Sequence, residues 1–416
     1  MYSHVITSGI TVGTGGSAGL ESPIVATSAA IGSNFAQTYH LNYRDRTLML
    51  ACGVAGGIAA AFNAPITGVL FVLEVLLLDV SIGSFIPLII AAASGALLSK
   101  IILKEGILLS FGLQSPFNYN NVPFYILLGI LAGFVSLYYA KIFVRLEHRM
   151  LKIKSIYKRA ITGGLLLSLL ILIFPTLFGE GYESIKSLAN MQPEKIFSNS
   201  ILHTVFENKV AILLGVTIIM LLKVVATALT LGSGGNGGNF APSLFVGAYL
   251  GFSYSSVLQL LGFTKVPSSN YTIVAMAGIL SGVFYAPLTA IFLIAEITGG
   301  YELMIPLMIV SAISYAIVKS FQPLSMEMKR LAHSNKINTH DMDKFLLSKL
   351  ELTELIENDY AIIKPEYSLQ KLITIIKNSG KHTFPVVDND DQLVGVIELN
   401  QIKDIILIQK NIMKYL

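Results

Sequence analysis

Apolar residues along this chain come in blocks rather than in faces. Stretches long enough to span or re-enter a bilayer lie near 47–62, 64–78, 84–103, 122–144, 160–178, 210–231, 240–262, 271–297 and 302–320. Several are short, and several are interrupted by Gly or Pro. Uneven, broken spans are what channels and transporters use, where half-helices end inside the membrane. A simple anchor shows cleaner stretches of about 20 residues. Lys141, Arg145, Arg149, Lys152, Lys154, Lys158 and Arg159 cluster between two of the blocks. Read as a loop, this cluster faces the cytoplasm by the positive-inside rule; an amphipathic surface helix would sit on the same side.

The blocks cease near Met326. Residues 326–416 are charged and hold no span. Ser368 is placed to cap a short helix over 369–377, with Leu369, Leu372, Ile373 and Ile376 on one side. Residues 384–388 (FPVVD), a turn at 389–391 and residues 393–397 (LVGVI) then read as strand, turn, strand. The pattern therefore predicts a helical multi-pass membrane part over 1–325 and a small α/β unit over 326–416. That tail is cytoplasmic and the membrane part lies in the cell membrane.

Composition agrees. Hydrophobic residues make up 53% and charged residues 13%, against about 25% charged in soluble domains; mean hydropathy is +0.68. Lipid is the main solvent for such a chain. The single cysteine, Cys52, excludes an internal disulfide, and its Ala and Gly neighbours make it a small packing residue. A formal charge of +4, with no basic run interleaved with aromatics, gives no reason to expect nucleic acid. No nucleophile–base pair, metal-ligand cluster or phosphate loop is evident within a span, so an enzyme is not expected and no metal or catalytic residue is assigned.

Two pairs of segments repeat in the same order. Residues 13–23 (GTGGSAGLESP) match 232–242 (GSGGNGGNFAP) without a gap. Residues 62–74 (FNAPITGVLFVLE) match 284–296 (FYAPLTAIFLIAE), and Ala55-Gly56 and Ala277-Gly278 extend that match. Duplicated glycine packing and proline kinks would be one reason for such a pattern. A transporter repeat, with its substrate site at the interface of the halves, is the other.

The chemistry of the first pair suits an anion. Backbone N–H groups at a helix N-terminus are free donors carrying about half a positive charge. They hold an anion without the grip of a fixed Lys or Arg. Glycine permits close approach, and proline near a helix start needs no N–H partner. The loops Gly19–Pro23 and Gly238–Pro242, with Ser22 inside the first, therefore read as elbows leading into half-helices. Glu21 sits in the first elbow. It is either an ordinary glutamate at a helix start or a tethered anion that occupies the site and leaves when protonated; the paired loop favours the second. Phe240 at the matching position adds no charge. Tyr301 can donate its hydroxyl to an anion, although its position alone favours an interfacial belt tyrosine. Glu74 and Glu296 close the matching helices, and capping or pairing at the membrane edge is the preferred role.

At these residues the sequence resembles the CLC chloride channel and transporter family over roughly 5–320. Gly19-Leu20-Glu21-Ser22-Pro23 is similar to the family's Gly-x-Glu-x-Pro segment, and Gly238-Asn239-Phe240-Ala241-Pro242 to its Gly-x-Phe-x-Pro segment. Phe62-Asn63-Ala64-Pro65 and Tyr285-Ala286-Pro287-Leu288-Thr289 match the later repeats. The resemblance implies inverted halves, a homodimer with one pore per subunit, and a chloride channel or chloride/proton antiporter. It implies Glu21 as the gate. Backbone amides of Asn239, Phe240 and Ala241, with the Tyr301 hydroxyl, would bind chloride. The exchangers' inner glutamate falls on Val75 here. The family also has helices ahead of the Glu21 loop, including a Gly-Ser-Gly-x-Pro segment. The chain is therefore expected to be incomplete at its N-terminus, the alternative being a non-conducting structural fragment. The tail resembles a single CBS module, a class that can bind adenine nucleotides; no other cofactor is implied.

Overall fold

The computed structural model describes residues 2–76, 82–103, 116–198, 200, 205, 206, 208–263, 267–335 and 360–399. The chain forms two compact units, 1–333 and 334–416. The first is helical: α1 (Tyr2–Gly13), α2 (Glu21–Thr38), α3 (Tyr43–Phe62), α4 (Pro65–Val75), α5 (Ile82–Leu103), α6 (Val122–Leu151), α7 (Ile156–Ile173), α8 (Tyr182–Ala189), α9 (Lys209–Gly232), α10 (Phe240–Leu260), α11 (Ser268–Phe284), α12 (Pro287–Ile297), α13 (Met304–Phe321) and α14 (Met326–Asn335). Among the described residues, six segments are long and apolar enough to cross a membrane, from Tyr43–Phe62 to Met304–Arg330.

Three features differ from the reading of the apolar blocks. The block 271–297 is two helices, because Tyr285 takes a left-handed conformation (φ 61°) and Pro287 starts a new helix. The described part of the block 64–78 holds the 11-residue α4, about 16 Å long, which is too short to cross and leaves only the re-entrant alternative. The basic cluster is mostly helix and not loop, since α6 runs for 30 residues to Leu151. At about 45 Å it outreaches the hydrocarbon core, so its basic end stands clear of the acyl chains. The first unit also continues through most of α14, which the sequence pattern had assigned to the tail; Arg330 on α14 pairs with Glu147 on α6 at 2.8 Å.

The repeat is structural as well as sequential. α3 ends at Asn63 and α11 at Tyr285, both left-handed; Ala64 and Ala286 follow with φ of −126° and −124°; and Pro65 and Pro287 open 11-residue helices. These short helices, α4 and α12, run antiparallel and cap each other. Glu74 at the end of α4 accepts from Leu288 N, Thr289 N and Thr289 Oγ1 at 2.9, 2.7 and 2.8 Å. Glu296 at the end of α12 accepts from Ile66 N, Thr67 N and Thr67 Oγ1 at 3.0, 2.9 and 2.7 Å. Each carboxylate satisfies two otherwise orphaned amides and faces the positive end of the partner helix. The halves are thus inverted about an axis between α4 and α12.

The second unit holds α15 (Leu369–Ser379), capped by Ser368, whose side chain accepts from Lys371 N, and ended by left-handed Gly380. Strands β1 (Thr383–Val387) and β2 (Leu393–Glu398) pair antiparallel. Asp388 folds the turn between them by accepting from Asp390 N and Gln392 N, both at 2.9 Å. Ile363, Leu372 and Phe384 form its core.

Candidate functional site

The two elbows meet. Gly19 and Gly238 form an antiparallel bridge, with Gly19 N donating to Gly238 O at 2.9 Å and Gly238 N to Gly19 O at 2.8 Å. The flanking loops lock reciprocally: Ser17 N donates to Thr230 Oγ1 at 3.0 Å, and Asn236 N to Thr11 Oγ1 at 3.1 Å. Leu20 and Asn239, the residues before α2 and α10, share the same backbone conformation (φ −90°, ψ −6° and −3°), and neither caps its helix with its own side chain. Two helix N-termini, α2 at Glu21 and α10 at Phe240, therefore start beside one bridge. Any side chain at either bridge position would crowd the opposing elbow. A Cβ on Gly19 would fall 2.1 Å from Glu21 Oε2, and one on Gly238 would fall 2.1 Å from Ser22 Oγ.

Glu21 is 3% exposed. Its Oε2 accepts from the Ala241 amide at 3.4 Å, and its Oε1 accepts a short hydrogen bond from the Tyr182 hydroxyl. The carboxylate of the first elbow thus lies at the N-terminus opened by the second. Phe240 packs against Phe62 and Phe284, at 5.5 and 5.6 Å between ring centres. Those two rings occupy matching repeat positions, so the symmetry itself clamps Phe240. The Asn239 side chain is engaged, accepting from Tyr139 OH and donating to Glu327 Oε1, each at 3.2 Å. A cavity of about 310 Å³ opens onto this place, lined by Glu21, Ser22, Val75, Asn239, Phe240 and Gly238, with Glu327 and Arg330 of α14 also on its wall. Pro23 and Pro242 lie in the first turns of α2 and α10 and are buried.

Of the residues selected from the sequence, the fold brings Gly19, Glu21, Ser22, Gly238, Asn239, Phe240 and Ala241 together. Tyr301 is not brought there: it lies in the turn between α12 and α13, is 54% exposed, and does not line the cavity.

Several residues that the sequence reading passed over surround Glu21. Glu180 sits between two left-handed glycines, Gly179 (φ 62°) and Gly181 (φ 89°), and its Oε1 accepts from Leu20 N at 3.3 Å. It lies within electrostatic reach of both Glu21 and Lys223. Lys223 is fully buried, with its Nζ donating to Gly179 O at 2.8 Å and lying 4.7 Å from the Phe245 ring centre. One signal was available: Lys223 is the sole charged residue inside the apolar run 210–231, and such residues are seldom idle. Tyr182 and Glu180, in the sequence FGEGYES, gave none.

Residues 1–319 match the family model described as voltage gated chloride channel, and residues 352–408 match the CBS domain. Over 330 residues the chain is 28% identical to the putative chloride channel protein ClcB-like of Ralstonia nicotianae, spanning 78% of this chain and 72% of that one. It is 30% identical to the voltage-gated ClC-type chloride channel ClcB of Escherichia coli O81 over 319 residues, 75% of this chain and 71% of that one. Its fold is similar to that of a slow cyanobacterial Cl⁻/H⁺ antiporter, with a TM-score of 0.65 at 20% identity over 78% of this chain and 73% of the other. A CLC-type fluoride/proton antiporter gives 0.58 at 24% over 75% and 72%. With its paired elbows and its inverted halves, the chain belongs to the CLC family of voltage-gated chloride channels and antiporters, and carries a CBS domain behind the membrane part.

Proposed function

We propose that the chain passes chloride across the cell membrane, through a site at the N-terminus of α10 that the Glu21 carboxylate plugs. The observation that carries this reading is the contact of Glu21 Oε2 with the Ala241 amide. A carboxylate oxygen and a halide compete for the same donors, because both are anions that a helix N-terminus stabilises. Protonation removes the charge of Glu21, ends that attraction, and frees the Ala241 amide beside that of Phe240. The amide of Asn239 lies on the same turn, so an incoming anion is handed between neighbouring donors without a fixed countercharge. Tyr301 has no part in this site.

Val75, where the resemblance puts the exchangers' inner glutamate, lines the same cavity and offers no proton; this favours passive anion passage. The basic end of α6 supports a cytoplasmic location for that end of the membrane unit. A homodimer, one pore per subunit, is the assembly implied by the family.

The test is chloride efflux from liposomes holding the full chain. Glu21→Gln, which fixes the neutral form, is expected to give high flux that no longer changes with pH, whereas the unaltered protein gains flux as pH falls. Flux and pH response equal to those of the unaltered protein would remove Glu21 as the plug. A reversal potential that follows an imposed pH gradient would replace passive passage with exchange.

A further inference from the structure

Away from the elbows, a second cavity of about 520 Å³ lies at the far end of α6, where that helix meets the end of α13 and the start of α14. Lys141, Arg145 and Arg149 line it from α6, Lys152 from the C-cap just beyond that helix, and Lys329 faces them from α14. The three α6 positions are spaced by four residues and project from one helical face, and Lys152, three residues on and still in helical conformation, continues it. Like charges at that spacing repel, and Lys141 and Lys329 act on each other across the opening. Among the described residues, none of these five cations has an acidic partner. Glu147, the carboxylate on this stretch of α6, is buried and bound to Arg330 at 2.8 Å. Ala140, Val144 and Met326 supply apolar wall between the cations.

We propose that this cavity is a binding site for a phosphate-bearing anion. Five cations gathered around a hollow are mutually destabilising until an anion neutralises them, and guanidinium groups match phosphate oxygens in geometry. The positive-inside tendency accounts for basic residues at this level of the membrane but not for their convergence: Lys154 and Lys158 obey the same tendency and do not line the cavity. Basic pockets between helices at the cytoplasmic face bind the headgroups of anionic lipids. The phosphate comes either from such a headgroup, whose glycerol carbons suit the apolar wall, or from a soluble phosphate compound.

The experiment measures the thermal stability of the purified full chain in neutral detergent at fixed low salt. One arm adds phosphatidylglycerol or cardiolipin against phosphatidylcholine, and the other adds pyrophosphate. A saturable rise in Tm is expected in at least one arm, and the arm that responds identifies the source. In the responding arm, the double variant Arg145→Gln/Lys152→Gln should need about thirtyfold more ligand, from about 1 kcal/mol for each basic group. Lys154→Gln/Lys158→Gln should need no more than the unaltered chain. Should the first double variant fail to fold, Arg149→Gln alone should need about fivefold more ligand, from the same 1 kcal/mol per basic group. The proposal is overturned if neither source raises Tm above the phosphatidylcholine control, or if the two double variants lose affinity equally, since the anion would then answer only to the general surface charge.

Discussion

Gly19 and Gly238, 219 positions apart in the sequence, are hydrogen-bonded to each other in both directions at 2.9 and 2.8 Å. The bridge fixes where the two half-helices begin and how near Glu21 comes to α10. A Cβ on Gly19 would sit 2.1 Å from Glu21 Oε2 but 3.0 Å from the Ala241 Cβ. The nearer neighbour is the end of a flexible side chain, which can swing away; the farther one can give by a few tenths of an ångström. Gly19→Ala is therefore expected to lower stability by about 1–3 kcal/mol while pushing the carboxylate off the Ala241 amide. Chloride efflux should rise at neutral pH. A variant that folds with unchanged efflux would show that the position of Glu21 does not govern passage.

Tyr182 holds the other carboxylate oxygen of Glu21. A hydrogen bond to a charged group contributes about 1.5–3 kcal/mol, so Tyr182→Phe should loosen the plug and raise efflux at neutral pH. The informative measurement is the double variant. In a Glu21→Gln background the carboxylate that Tyr182 restrains is gone, and Tyr182→Phe should add little to the efflux already gained. Additive effects would mean that Tyr182 acts on passage by some route other than Glu21.

How much of this was legible beforehand follows from what kind of interaction each part uses. The elbows were legible because backbone geometry selects residue type: Gly at the bridge and Pro in the first turn recur wherever the same turn recurs. The break at Tyr285 was legible only through its repeat partner Asn63, since hydropathy runs unbroken through 271–297. Tyr301 entered the site only through the resemblance, while its position alone favoured an interfacial tyrosine, and in the fold it is exposed in the turn between α12 and α13. Tyr182 reaches Glu21, and Glu180 the neighbouring Leu20 amide, from about 160 residues away in sequence, contacts set by the packing of α8 against α10 and carried by no local pattern.

Lys223 invites a stability test. It is fully buried, donates a hydrogen bond from Nζ to Gly179 O at 2.8 Å, and lies within electrostatic reach of Glu180. Glu180 is only half-buried, so the main cost of Lys223→Met is the unpaired Gly179 carbonyl, about 1–3 kcal/mol, together with the countercharge that Glu180 loses. Lys223→Met should therefore lower Tm. Adding Glu180→Gln to that variant should recover part of the loss, since no bare charge remains, although the Gly179 carbonyl stays unpaired. If the second substitution makes matters worse, the two groups do not compensate each other.

The reciprocal caps of α4 and α12 make a prediction that rests on the symmetry itself. Glu74 and Glu296 each accept two amides and one threonine hydroxyl from the opposite helix. A glutamine at either place keeps one oxygen, but its amide NH₂ then faces backbone donors and it loses the attraction of a carboxylate for a helix N-terminus. Each substitution, Glu74→Gln and Glu296→Gln, is expected to cost about 1–3 kcal/mol. Because the two environments are copies, the two losses in Tm should agree closely. The double variant should lose no less than their sum, as neither end of the α4–α12 pair would then be pinned. Thermal unfolding of the three variants side by side checks this. One neutral substitution beside one costly one would mean that a single cap holds the pair, and that the inverted copies share a shape without sharing the load.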